Sequence, residues 1–119
     1  MAQFKTLPSN PVHDGIQYLA FFPNGYGASI VQHAYSYGGP NGLWELAVIK
    51  GTAEAWDICY DTPITSDVLG YLEESEVDVI LASIEALQSL VPQSNFIRLI
   101  VKRLQKALGF FSILSYLYV

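Results

Sequence analysis

Apolar positions recur with a period of two through the first half of the chain and with spacings of three and four afterwards; the change falls at Asp61-Thr62-Pro63. The run Ile16 to Phe22 is rich in strand formers and is closed by Pro23-Asn24-Gly25-Tyr26-Gly27, whose Asn-Gly pair supplies positive φ for a turn. Ala28 to Tyr35 alternates next, with Ser29, Val31, His33 and Tyr35 on one face, and Gly38-Gly39-Pro40-Asn41-Gly42 then breaks the chain. Leu43 to Lys50 sets Trp44, Leu46 and Val48 against Glu45, Ala47 and Ile49, and Gly51-Thr52 permits a turn into Glu54 to Asp61. Strands joined by such short connections predict an antiparallel meander. Pro63 lacks the donor a ladder requires and ends it.

Helical spacing follows. Thr65 or Ser66 is placed to cap a short helix through Leu72, and Ser75 to cap a longer one reaching Val91, with Glu76 and Asp78 in its first turn. Val77, Ile80, Leu81, Ile84, Leu87 and Val91 form one stripe in that helix, and Pro92 stops it. Ser94 then caps a last helix, in which Asn95, Arg98, Lys102, Gln105 and Lys106 oppose Ile97, Ile100, Val101, Leu104, Ala107 and Leu108. Gly109 suits its C-terminal cap, and Phe110 to Val119 reads as a further helical turn or an edge strand. The fold predicted is α+β: an N-terminal antiparallel sheet of three to five strands packed by two or three C-terminal helices. Residues 1–119 form one domain, in which 95–119 is a basic and then apolar C-terminal segment.

Charge changes this picture, because it is segregated. All eleven acidic residues lie between Asp14 and Glu85, so that, against Lys5 and Lys50, residues 1–94 sum to −9. The four remaining basic residues, Arg98, Lys102, Arg103 and Lys106, give residues 95–119 a charge of +4. The C-terminal segment therefore either clamps the acidic body or faces an acidic partner. Charged residues make up 14 % of the chain, against about 25 % in ordinary soluble domains. So little charge implies apolar surface hidden in a homo-oligomer, against a partner or in a membrane. The uncharged run Ala107 to Val119 is thirteen residues, short of the roughly 20 that span a bilayer, and no segment fits a secretion signal. The expected location is the cytoplasm, without membrane insertion.

Catalytic chemistry finds little support. Cys59 and His33 are able to form a thiolate–imidazole pair only if the sheet brings them together, and no basic neighbour in sequence activates the thiol. His13-Asp14 reads as a solvated pair in a Pro-flanked loop. The glycine-rich stretches lack the Lys-Ser/Thr of a phosphate loop, and Asp57, Asp61, Glu73, Glu74, Glu76 and Asp78 lack the spacing of a calcium loop. No catalytic, cofactor or metal site is expected. Residues 1–94 are too acidic for direct DNA binding, since phosphate affinity comes from lysine and arginine. Tyrosines beside Gly-rich turns offer large contact area at low entropic cost, which makes Tyr26, Tyr35 and Tyr37 candidate partner-binding residues. The acidic Glu73, Glu74 and Glu76 join them as a complement to a basic groove.

Three stretches carry a resemblance: Pro23 to Val31, Gly42 to Val48, and Tyr60 to Leu72, which opens Tyr60-Asp61-Thr62-Pro63. Together they resemble small uncharacterised proteins encoded by bacteriophages and prophages, over about residues 23–90. The resemblance implies a non-enzymatic protein that binds and blocks a host protein, such as a defence nuclease with a basic groove, as anti-CRISPR proteins do. A small virion or assembly component oligomerising through its C-terminus is the alternative, and a small-ligand protein or enzyme comes third.

Overall fold

The computed structural model describes residues 2–90. Both C-terminal expectations, the basic helix at 95–108 and the segment 110–119, lie outside them. Among the described residues six antiparallel strands form one curled sheet: β1 (Ser9–Val12), β2 (Gly15–Phe21), β3 (Tyr26–Gln32), β4 (Trp44–Thr52), β5 (Ala55–Ile58) and β6 (Leu69–Leu72). The order is β1-β2-β3-β4-β5, as a meander requires, and β6 returns to pair with β4. The outer edge of β4 is thereby divided. β5 takes its Ile49–Thr52 end and β6 its Trp44–Leu46 end, with a register irregularity between Trp44 and Leu46.

The core lies on one face of this sheet. Tyr18, Ile30 and Leu46 line up across β2, β3 and β4, and Ala20, Ala28 and Val48 form the next row. The two alanines leave room for the single α-helix among the described residues, α1 (Glu74–Glu85), to seat Val77 and Ile84 fully buried. Cys59 closes the row beside Val48, whose carbonyl accepts the Cys59 N–H at 2.7 Å. The other end of the core is aromatic. Phe4, from a 3-10 turn at Gln3–Thr6, meets the Tyr18 and Trp44 rings edge-on at 5.4 and 4.9 Å. Asp78 ties that turn to α1, its carboxylate accepting the N–H groups of Gln3 and Phe4 at 3.0 Å each. No helix among the described residues is long and apolar enough to cross a membrane.

Three local expectations are corrected. Residues 9–12, to which the sequence pattern assigns no element, form edge strand β1, where Pro11, opposite Ile16, is tolerated as it would not be in a central strand. The short helix expected from Ser66 to Leu72 is replaced by β6, because the unpaired groups of β4 at Trp44–Leu46 need partners that a helix cannot supply. The cap of α1 is Glu73 and not Ser75, in a capping box where the Glu76 carboxylate accepts the Glu73 N–H at 3.0 Å. The helix ends at Glu85, well before Val91, because Asn24 takes over its carbonyls. The buried Asn24 Nδ2 donates to the oxygens of Ile84, Glu85 and Leu87 at 2.9, 3.1 and 3.1 Å, while its Oδ1 accepts the Tyr26 N–H at 3.0 Å.

Candidate functional site

The loop from His33 to Leu43 is built to hold its backbone still. Ser36 Oγ accepts the His33 N–H at 2.9 Å and donates to the His33 carbonyl at 3.0 Å, and the Gly38 carbonyl accepts from both Asn41 and Leu43 at 3.0 Å. Tyr35 donates its N–H to His33 Nδ1 at 3.1 Å, and Tyr37 donates its own to Glu45 Oε1 at 3.0 Å. With these main-chain groups satisfied inward, the side chains of Tyr35 and Tyr37 stand in solvent, 78 % and 59 % exposed.

A third tyrosine joins them from β6. Tyr71 is 61 % exposed and donates its N–H to the Tyr37 carbonyl at 3.1 Å. The segments Tyr37-Gly38 and Gly70-Tyr71 cross reciprocally. A Cβ on Gly70 would lie 2.5 Å from that of Tyr37, and one on Gly38 would lie 2.9 Å from the Tyr71 Cα. Each glycine makes room for the other segment's tyrosine. Tyr71 also holds φ at +56°, a left-handed conformation that costs a non-glycine residue about 1–2 kcal/mol. The surrounding contacts over-determine that strain, a pattern found at ligand clamps and binding sites. His13, in the turn between β1 and β2, extends the surface, its ring 4.7 Å from His33 and 5.1 Å from Tyr35.

His33 Nδ1 is occupied as an acceptor of the Tyr35 N–H. No group of three potential ligands gathers among the described residues. Nor do His33 and Cys59 form a dyad: Cys59 lies beside Val48, opposite Ala28, and His33 is five residues further along, about 16 Å at strand rise. The Cys59 thiol instead donates to Asp61 Oδ1 at 2.8 Å. Burial and that bond push its pKa up, and the same bond holds the Asp61 carboxyl below its usual value. This is a protonated, buried thiol, the opposite of a nucleophile.

The other sequence candidates separate from the platform. Tyr26 is half-buried against the core, and burial first, then Cys59 and Asp61, raises its hydroxyl pKa. Glu73 and Glu76 form the capping box, and Glu74 pairs with Lys5. A groove of about 340 Å³ runs between the 3-10 turn and α1, lined by Phe4, Leu7, Phe22 and Leu81, with the carboxylates of Asp78 and Glu85 among its walls. It brings no imidazole or thiol to those carboxylates. Tyr71 escaped the sequence reading because residues 66–72 scanned as helix; the mirrored pairs Tyr37-Gly38 and Gly70-Tyr71 were the available signal.

Comparison with protein-family models, with curated proteins and with solved structures finds no match.

Proposed function

We propose that this protein is a non-enzymatic interaction module that grips a basic protein partner on the Tyr35, Tyr37 and Tyr71 platform. The carrying observation is the reciprocal Tyr–Gly crossing, which packs the backbones that carry two exposed tyrosines against each other at the expense of strain at Tyr71. Rigid tyrosines supply contact area with little side-chain entropy left to lose. The −9 charge of residues 1–94 draws a positive partner, and arginine guanidinium groups stack on tyrosine faces. With the phage resemblance, the partner class is a host protein with a basic groove, such as a nucleic-acid enzyme, which the bound protein blocks.

Tyr71→Gly separates binding from folding. Glycine accepts the left-handed backbone, so relief of strain offsets the lost packing, and stability measured by urea denaturation is expected to stay within about 1 kcal/mol. Affinity for a host partner, identified by capture and mass spectrometry and then measured by calorimetry, is expected to fall at least tenfold, about 1.4 kcal/mol. It should also weaken with added salt as the Debye length shrinks from about 10 Å at 0.1 M. A folded Tyr71→Gly protein that binds its purified partner with unchanged affinity would remove the platform reading.

A further inference from the structure

The groove between the 3-10 turn and α1 joins apolar walls to uncompensated negative charge. Its volume of about 340 Å³ falls within the range of small-molecule sites, roughly 300–1,000 Å³. Phe4, Leu7, Ala20, Phe22 and Leu81 supply its apolar lining. Asp78 and Glu85 lie seven residues apart on α1, two turns along one face with Leu81 between, so their α-carbons stand about 10 Å from each other along the axis. Neither acid meets a cation among the described residues. Asp78 accepts the Gln3 and Phe4 N–H groups, which are uncharged, and each of its oxygens keeps a lone pair for a further donor. Lys5, in the same turn as Gln3 and Phe4, is taken by Glu74. Among the described residues no hydrogen bond or ion pair reaches the Glu85 carboxylate. Its position is also unfavourable to α1 itself: Glu85 closes the helix at the negative end of the macrodipole, and no basic residue stands in that last turn. The fold keeps an acid where helix stability argues for lysine or arginine.

We propose that this groove binds a linear aliphatic diamine, with one ammonium at Asp78, the other at Glu85 and the methylene chain along Phe4 and Leu81. Charge complementarity selects this occupant. A single calcium ion needs its oxygens at about 2.3–2.6 Å, and two carboxylates two helical turns apart do not converge on one ion. A monoamine leaves one of the acids without a cation, and a neutral chain leaves both. A diammonium matches the two ends, while its methylenes displace water from the apolar lining between them. The groove shares no residue with the tyrosine platform, and the proposal does not depend on the function assigned to that platform.

Titration of the full-length protein with hexamethylenediamine, followed by backbone and methyl NMR, tests this at about 0.15 M salt, where the Debye length is about 8 Å. Saturable shifts are expected at the Leu7, Ala20 and Leu81 methyls. Hexylamine, with one ammonium, should bind about fivefold more weakly, and hexanediol should leave these methyls in place. Glu85→Gln keeps the size of an exposed side chain whose carboxylate no described residue contacts, so the variant is expected to fold. In it the diamine should lose its advantage over hexylamine. Equal affinity for diamine and monoamine in the wild-type protein would overturn the proposal, as would a preference for the diamine that survives Glu85→Gln. Shifts confined to Glu73, Glu74 and Glu76 would overturn it too, because they would report attraction to the acidic surface and not occupation of the groove. An absence of any shift at millimolar diamine has the same consequence.

Discussion

Asn24 shows how much one polar side chain can decide. Its two amide hydrogens serve three carbonyls at the end of α1, so a single residue of the β2–β3 turn both stops the helix and fastens it to the sheet. Asn24→Asp keeps the shape but turns an oxygen toward those carbonyls, and we expect a loss of about 3 kcal/mol in urea denaturation. Cys59 makes a second residue-scale prediction. Its folded pKa is raised, so its contribution to stability is complete below the ordinary thiol range and is lost as pH rises through the folded value. Deprotonation would set a thiolate against the Asp61 carboxylate, which already accepts the proton at 2.8 Å. Wild-type protein should therefore lose more stability on moving to alkaline pH than Cys59→Ala, as followed by thermal melts. Equal alkaline losses in the two proteins would show that the contact carries no such linkage.

Elements were legible where side-chain period and burial agree. β2, β3 and β4 could be read because Ile30, Leu46 and Val48 alternate with residues of the second face, and turn residues punctuate them. The stripe of α1 was legible as well, but neither of its ends was. Its start depends on a carboxylate pair in place of a serine, and its end on a side chain sixty residues earlier, a relation that no local pattern carries. β6 was misread for a similar reason. Leu69 and Leu72 have helical spacing, and only the vacant edge of β4 makes them a strand. With β6 went Tyr71; of the tyrosines beside the Gly-rich turns, Tyr35 and Tyr37 stand exposed, whereas Tyr26 is half-buried against the core. Within α1, burial ranks the stripe. Ile84 is fully buried and Leu81 partly open to the groove, so Ile84→Ala should cost about 2–5 kcal/mol and Leu81→Ala clearly less in parallel denaturation curves.

For the whole molecule, the sparse charge that composition records must be reconciled with 13.2 kDa of chain. A homo-oligomer hides apolar surface, and so does a bound partner. In the first case light scattering at micromolar concentration should give a mass above that of one chain, and a clean 13.2 kDa across the concentration range would leave a partner as the cover. The divided edge of β4 bears on how the protein is made. On the ribosome the β2–β4 meander is complete at Thr52, and β5 can cover one end of its open side almost at once. The other end waits for Leu72, twenty residues later, or about one to four seconds at ordinary elongation rates. For that interval the nascent chain carries a half-sealed seam beside Trp44, and a neighbouring polysome offers strands that fit it. Slow codons between 52 and 72 would prolong the exposure, so production yield should respond to synonymous changes there more than to the same changes within β2.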